Sequence, residues 1–190
     1  HTYDPLANHG DASFTIGIID RSQSRNVLVE DCSVHNYAQG MYFEAFPGDG
    51  QSGGQQNTSV RRNIIYDNWG FNALGQSDPS GNGQNDGNAI LFGNNVNGIL
   101  LEENLMDNNG WNGATLPNGD QPGHQPYVNN NNSGVTYRRN ISSRGDGPQI
   151  RCGGEVSDNL LLNLCISAEF GAGTDPNAFG VTGRYRGNVA

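Results

Sequence analysis

The sequence predicts an all-β fold, a parallel β-helix in which short strands stack coil on coil as a solenoid. Hydrophobic residues make up only 34% of the 190 residues and 28 are Gly, yet aliphatic and aromatic residues occur in short segments that are separated by polar turns. Within these segments polar and apolar residues alternate, which is typical of half-buried strands. One short motif also recurs along the chain, and units of this size bury their apolar faces only by stacking.

The recurring motif is an alternating segment, often with two charged residues, that ends in Asn. Its six end positions are Cys32, Asn63, Asn104, Asn140, Asn159 and Asn188, with Cys replacing Asn in the first copy. We expect this residue at a bend between two strands, where stacked amides can bond to each other and Asn tolerates left-handed backbone geometry. The 19 residues from Asn140 to Asn159 define a minimal coil.

An apolar segment follows each bend, and a second strand follows after a turn. Second strands are predicted at residues 40–44, 89–92, 127–129, 149–152 and 168–170. Polar insertions at 45–57, 75–87 and 112–123 are predicted loops, and insertions in a solenoid usually map to one face, often the binding face. No segment keeps a helical period for three turns, so we expect minimal helix content.

We interpret residues 1–190 as a single β-helix domain with an irregular segment at 1–13. Neither end shows a capping segment, which predicts a longer parent chain or self-association through the solenoid ends. Of the three cysteines, Cys32, Cys152 and Cys165, none belongs to a CxxC pair. They are expected to be small core residues, and a bridge between Cys152 and Cys165 remains open.

Charge and hydropathy narrow the choice of partners. The net charge is −9 and every basic residue is Arg, so the chain lacks the basic face that nucleic acids require. No apolar run approaches the roughly 20 residues of a membrane span. We therefore expect neither nucleic acid nor membrane as a partner.

Alternation along the second strands directs a set of polar side chains outward. These are Tyr42, Glu44, either Tyr127 or Asn129, Arg151 and Glu169. Stacked on neighbouring coils, they would form a ladder suited to a linear sugar chain. Arg144 adds a candidate for anion binding, and Trp69 and Trp111, both beside Asn-Gly turns, are candidates for stacking on sugar rings or for packing under loops.

His124, Tyr127 and Arg151 are the candidate catalytic residues. They lie on neighbouring predicted coils and can supply a base, an acid and an anion clamp. Such a set could remove the C5 proton of a uronic acid and neutralise its carboxylate. A purely structural alternative has His124 bonding to backbone, Tyr127 packing, and Arg151 pairing with Glu169.

Two further chemistries remain open. Paired carboxylates could catalyse glycoside hydrolysis, although no particular pair stands out among the many Asp and Glu residues in predicted turns. The segment from Asp78 to Gly87 could hold Ca²⁺ through carboxylate and carbonyl oxygens, but it lacks the spacing of an EF-hand loop. No defined metal-ligand set and no certain cofactor are predicted.

The bend motif and the stretch from His124 to Gly171 resemble the right-handed parallel β-helix repeat proteins of the pectate-lyase-like superfamily. The likeness is carried by His124-x-x-Tyr127-Val128 and by Gln149-Ile150-Arg151-x-Gly153-Gly154. It implies a right-handed solenoid, secretion and an extracellular polysaccharide partner. The chain lacks the Lys that some uronate lyases of this superfamily use as base, and the paired Asp motifs of its pectin hydrolases.

Together these features predict a lyase that cleaves an acidic, uronic-acid polysaccharide. The alternatives are a glycoside hydrolase that uses a carboxylate pair, and a non-catalytic solenoid that binds carbohydrate or assembles with itself.

Overall fold

The computed structural model describes residues 16–45, 53–68, 87–110, 123–171 and 181–190. These residues form seventeen strands in three parallel sheets of six, six and five strands, and they contain no helix. Among them, accordingly, no helix is long and apolar enough to cross a membrane. The predicted parallel β-helix is confirmed. The predicted irregular segment 1–13 lies outside the described residues.

The strands follow one another in six coils. Coil 1 contains β1 (Ile16–Asp20), β2 (Arg25–Glu30) and β3 (Ser33–His35), and coil 2 contains β4 (Gln39–Phe43), β5 (Gln55–Arg61) and β6 (Ile64–Tyr66). Coil 3 contains β7 (Ile90–Phe92), β8 (Val96–Glu102) and β9 (Leu105–Asp107), and coil 4 contains β10 (Pro126–Val128), β11 (Ser133–Arg138) and β12 (Ile141–Gly145). Coil 5 contains β13 (Gln149–Ile150), β14 (Gly154–Ser157) and β15 (Leu160–Leu164), and coil 6 contains β16 (Glu169–Phe170) and β17 (Gly183–Arg186).

The first strand of every coil belongs to sheet A, the second to sheet B and the third to sheet C. Inward side chains of the three sheets meet in one continuous core. In sheet A the rings of Phe43 and Phe92 stack with their centroids 5.2 Å apart, and Val128 and Ile150 continue the same column. Because adjacent coils lie only about 4.8 Å apart, each inward residue packs directly on its counterpart in the next coil.

The predicted asparagine ladder is present at the bend between sheets B and C. Asn63 Nδ2 donates to Asn104 Oδ1 at 3.0 Å, Asn104 Nδ2 to Asn140 Oδ1 at 3.0 Å, and Asn140 Nδ2 to Asn159 Oδ1 at 3.2 Å. Cys32 continues the column because its backbone N–H donates to Asn63 Oδ1. The ladder joins successive coils through buried polar groups that are fully hydrogen-bonded.

The prediction that the ladder Asn itself takes the left-handed conformation is wrong. The residue immediately before it does so in every coil, with φ between 52° and 64° at Asp31, Arg62, Glu103, Arg139, Asp158 and Gly187. Turning the chain one residue earlier leaves the Asn side chain pointing inward, where it reaches both neighbouring coils.

A second polar ladder, which the sequence analysis did not identify, fills the bend between sheets C and A. Asn68 Nδ2 donates to Asn109 Oδ1 at 2.8 Å, and Asn109 Nδ2 donates to Gln125 Oε1 at 2.9 Å. All three side chains are buried. The position equivalent to Asn68 and Asn109 in coil 4 is Gly145, and the side chain of Gln125 fills the space beside it and donates to the Ser143 carbonyl at 3.0 Å. The pattern is therefore not one of Asn alone.

Two further expectations are corrected. The predicted loop 45–57 is too long, because β5 begins at Gln55, whose buried amide donates to Asp20 Oδ2 at 3.1 Å. The possible bridge between Cys152 and Cys165 is absent, and all three cysteines are free thiols. Cys32 and Cys152 pack against the core as expected, whereas Cys165 is exposed.

Candidate functional site

The connections of the solenoid single out the outer face of sheet A. Chain segments outside the described residues enter or leave the coils next to this sheet: before β1, and between residues 45 and 53, 68 and 87, 110 and 123, and 171 and 181. By contrast, sheets B and C are joined by a short bend in each of coils 1 to 5. Because insertions cluster where a solenoid binds its partner, sheet A is the first place to look for a site.

Strand register defines two columns of outward residues on sheet A. The first column contains Tyr42, Leu91, Tyr127, Gln149 and Glu169. The second lies two residues further along and contains Glu44, Gly93, Asn129 and Arg151. Their polar members, namely Tyr42, Glu44, Tyr127, Asn129, Gln149, Arg151 and Glu169, are called the sheet A polar face below.

Tyr127 and Arg151 form the centre of this face. Arg151 Nη1 donates to the Tyr127 hydroxyl at 2.5 Å, and the guanidinium carbon lies 5.8 Å from the centroid of the tyrosine ring. Both residues are only partly buried. A guanidinium at a phenol oxygen stabilises negative charge that develops on that oxygen. Asn129, one coil before Arg151 in the same column, places an amide at the edge of the pair.

His124 lies behind Tyr127, with ring centroids 5.4 Å apart. Its side chain is buried, with 5% of the residue exposed. Burial lowers the pKa of His124 from 6.5 to about 4, with partial compensation from a hydrogen bond to the Gly147 backbone. The imidazole is therefore neutral near pH 7 and able to accept a proton.

Asp146 faces His124 from the next coil, where the two residues form an isolated bridge. The His124 Nδ1 atom lies 3.8 Å from Asp146 Oδ2. Asp146 is buried, and neither carboxylate oxygen has a hydrogen-bond partner among the described residues. Burial raises the pKa of Asp146 to about 6. Burial and the neighbouring Asp146 carboxylate raise the pKa of the Cys165 thiol.

The structure places Tyr42 and Glu44 on the outer side of sheet A, as expected, but it buries them. Tyr42 donates to Glu44 Oε2 at 2.5 Å, and Arg21 Nη2 lies 3.5 Å from the same oxygen. Asn94 Nδ2 donates to Glu44 Oε1 at 3.3 Å. Glu44 is therefore held by three neighbours and helps to shape the face from beneath.

Glu169 and Arg151 do not pair with each other, contrary to the structural alternative that the sequence left open. Glu169 Oε2 accepts from Gln149 Nε2 at 2.8 Å, while Arg151 bonds to Tyr127. The cation is thus directed to the phenol rather than to a carboxylate.

Arg144 does not share this face. It lies in β12 of sheet C and forms an ion pair with Asp107, and a hydrogen bond from Arg144 lowers the pKa of that carboxyl group. Arg138 and Arg139 lie at the bend between sheets B and C beside Glu102. These three arginines therefore lie away from the sheet A polar face.

Several predicted residues fall outside the described part of the chain. Trp69, Trp111 and residues 78–86 of the candidate Ca²⁺ loop belong to this group. Within the described ranges, no group of three or more His, Cys, Asp or Glu side chains is arranged to hold a metal ion.

Comparison with known proteins identifies no relative. No protein-family model, no curated protein and no solved structure matches the chain. Function must therefore be argued from the site itself.

The sequence singled out His124, Tyr127, Asn129 and Arg151, and the structure brings them to one part of the solenoid. It did not single out Asp146, which is one of many Asp residues in Gly-rich turns. Asp146 is identified by its β-bridge to His124. Which residue pairs with His124 in this way depends on the number of residues in coil 4.

Proposed function

We propose that the chain binds an acidic polysaccharide along the sheet A polar face and cleaves it by β-elimination. The observation that carries the proposal is the 2.5 Å contact between Arg151 Nη1 and the Tyr127 hydroxyl, with neutral His124 directly behind it. A phenol that can exchange a proton, beside a cation that can bind a carboxylate, is the combination that uronate elimination requires.

In this mechanism Arg151 and Asn129 bind the uronate carboxylate. Their charge and hydrogen bonds stabilise the enediolate that forms when the C5 proton leaves. The C5 proton passes to the deprotonated oxygen of Tyr127, which is partly exposed whereas His124 is buried. The C4–O4 bond then breaks, a double bond forms between C4 and C5, and Tyr127 returns the proton to the departing oxygen.

His124 packs against Tyr127 from below, with the ring centroids 5.4 Å apart, and holds the tyrosine ring in place. Because burial lowers the pKa of His124 to about 4, its ring stays neutral and takes no part in the proton transfer. This assignment modifies the expectation from the sequence, in which His124 itself acts as the base on the substrate.

A chain with net charge −9 repels a polyanion overall. Arg151 offsets this repulsion locally, because its guanidinium bonds to the Tyr127 hydroxyl and not to a carboxylate. Arg21, towards the other end of the face, contributes little because it pairs with Glu44 at 3.5 Å. Binding should therefore weaken as salt screens the charge of Arg151.

The resemblance to the pectate-lyase-like superfamily supports the same proposal. Right-handed winding of the coils and secretion to an extracellular location follow from that resemblance and form part of the proposal.

The test is a panel assay with alginate, pectate, other uronic polymers and neutral glycans, with Ca²⁺ and with chelator. Absorbance of unsaturated uronate and new reducing ends are followed together. We expect absorbance on at least one uronic polymer, and its loss in Tyr127→Phe and Arg151→Gln. The control is Tyr66→Phe, since Tyr66 stacks on His35 in sheet C. Reducing ends without absorbance would contradict elimination and indicate hydrolysis.

A non-catalytic carbohydrate-binding solenoid is the second candidate. It is favoured by the way Glu44 and Glu169 are held by Tyr42 and Gln149, which leaves neither carboxylate on this face poised for acid–base work. If folded protein binds polysaccharide but produces neither unsaturated uronate nor new reducing ends, this candidate is favoured.

A further inference from the structure

A continuous column of aliphatic side chains runs along the outer face of sheet C. It contains Ile64, Leu105, Ile141, Leu160 and Val189, one from each of coils 2 to 6. Leu160 is half-buried, and the other four are exposed. Ile64 is 47% exposed and Val189 is 63% exposed. With coils about 4.8 Å apart, the column is about 19 Å long. We call it the aliphatic column.

Single exposed aliphatic residues need no explanation, but a contiguous stripe does. The comparable outward column of sheet B shows the difference. It contains Leu28, Ser59, Leu100, Thr136, Glu155 and Arg184. There polar and charged residues interrupt the aliphatic ones, so only sheet C offers an unbroken apolar line among the described residues.

A column of alternating charge runs parallel to the aliphatic column, two residues earlier in each coil. From coil 1 to coil 5 it reads Asp31, Arg62, Glu103, Arg139 and Asp158. Neighbouring coils form ion pairs within it: Arg62 Nε lies 3.0 Å from Asp31 Oδ1, and Arg139 Nε lies 3.1 Å from Glu103 Oε1. These side chains remain substantially exposed, so their charge also faces outward.

We propose that a second copy of this chain docks on this face. The two copies are related by a two-fold axis that runs parallel to the strands of sheet C and passes between coils 3 and 4. The solenoid axes of the two copies therefore point in opposite directions. This operation places coil 2 opposite coil 5 and coil 3 opposite coil 4. Ile64 then faces the Leu160 position of the other copy, and Leu105 faces the Ile141 position.

The charges match in the same register. Arg62 faces the Asp158 position of the other copy, and Glu103 faces the Arg139 position, so each contact joins opposite signs. A two-fold axis passing through a coil would instead oppose like charges. An axis between coils 2 and 3 would also pair opposite signs, but it would leave Leu160 and Val189 uncovered. An axis between coils 4 and 5 would leave Ile64 uncovered and would set Glu103 against Gly187. The face is therefore self-complementary, as an isologous dimer requires, and the axis between coils 3 and 4 combines opposite charges with cover for the whole aliphatic column.

The patch is narrow, which places the contact at the low end of protein interfaces, below about 1,200 Å² in total. We therefore expect a concentration-dependent dimer rather than an obligate one. Because the operation is closed, assembly stops at two copies, whereas stacking through the solenoid ends would continue to longer particles.

Sedimentation of the full chain from micromolar to millimolar concentrations tests the proposal. We expect a monomer–dimer equilibrium whose dissociation constant rises at least about tenfold in Leu105→Glu and in Ile141→Glu. The matched control is Leu28→Glu, an exposed leucine on sheet B, which should dimerise like the wild type. Circular dichroism establishes that each variant remains folded.

Removal of single charges tests the register independently. Asp158→Asn should weaken the dimer, because Asp158 faces Arg62 of the other copy in the proposed register. The matched control is Asp31→Asn in the same charge column, which should dimerise like the wild type because Asp31 faces the Gly187 position of the other copy. A chain that stays monomeric at all concentrations, open-ended assembly, equal weakening by Leu28→Glu, or equal effects of Asp158→Asn and Asp31→Asn would each overturn the proposal.

Discussion

Individual buried asparagines form several hydrogen bonds between neighbouring coils. The Oδ1 atom of Asn104 accepts hydrogen bonds from both the backbone and the side-chain nitrogen of Asn63, each at 3.0 Å. Its Nδ2 atom donates to the Val60 carbonyl at 2.9 Å and to Asn140 Oδ1 at 3.0 Å. A shorter side chain at this position would remove the acceptor of the Asn63 backbone N–H and the amide that donates to the Val60 carbonyl, in a place that water does not reach.

We therefore predict that Asn104→Ala lowers the free energy of unfolding by about 3 kcal/mol, because several buried hydrogen-bonding groups lose their partners. Urea unfolding followed by circular dichroism measures the change. Asn131→Ala is the control, since Asn131 is exposed, and it should change stability by less than about 0.5 kcal/mol. Equal effects of the two substitutions would contradict the structural role of the ladder.

The buried residues His124 and Asp146 should make opposite contributions to the pH dependence of folding stability. Burial lowers the pKa of His124 from 6.5 to about 4, so stability from this group is lost as pH falls through that window. Burial raises the pKa of Asp146 from 3.8 to about 6, so stability from this group is gained over nearly the same window. In the wild type the two contributions largely cancel.

Replacing one of the two residues should reveal the pH dependence of stability that the remaining residue contributes. Between pH of about 7 and about 4.5, His124→Gln should gain about 2 kcal/mol of stability relative to the wild type, and Asp146→Asn should lose a similar amount. Chemical denaturation of the three proteins at both pH values measures the difference. Parallel pH curves for all three would show that the two groups do not titrate in this window.

At the scale of the strand, charged residues at the end of sheet B tie neighbouring coils together. Glu30, Arg61, Glu102 and Arg138 occupy one register position in coils 1 to 4, and their signs alternate. Glu102 is buried, and Arg61 and Arg138 lie 3.3 Å and 2.7 Å from its two oxygens. Arg139 also contacts Glu102. Three guanidinium groups thus share one buried carboxylate, and two of them also contact a second one: Arg61 contacts Glu30 and Arg139 contacts Glu103.

Glu102→Gln should therefore lower the free energy of unfolding by about 2 kcal/mol, because it leaves the surrounding guanidinium groups without their shared carboxylate. The neighbouring Glu103 provides a matched control in the same coil. Its side chain is 40% exposed, so Glu103→Gln should cost no more than about 0.5 kcal/mol. Thermal or urea unfolding distinguishes the two, and equal losses would show that burial of Glu102 does not determine its contribution.

Strands were the most predictable elements, because residue alternation reports directly on which side chains face the core. The bend positions were less predictable. Asn63 and its counterparts were correctly placed on a ladder, but the left-handed residue before them has no common identity: it is Asp, Arg, Glu or Gly. Its conformation follows from the geometry of the bend rather than from residue preference.

For the whole molecule, the succession of coils could be predicted from the repeated motif, but contacts between coils could not. Arg151 reaches Tyr127 diagonally, from the second outward column of sheet A to the first, because the number of residues in coil 4 sets which side chains face each other. Arg144 is close to both in sequence yet lies on sheet C. Sequence alone also left open whether outward residues such as Tyr42 and Glu44 are accessible, and the structure buries them.

The central claim is that the sheet A polar face binds an acidic sugar chain through Arg151. Calorimetric titration of a uronic-acid oligosaccharide into the folded wild type, Arg151→Gln and Arg184→Gln tests it most directly. Arg184 lies on sheet B with 69% of its side chain exposed, so it controls for the loss of one positive charge. We predict that Arg151→Gln weakens binding at least about tenfold while Arg184→Gln does not. Equal affinities for all three proteins, or no binding by the wild type, would contradict the account.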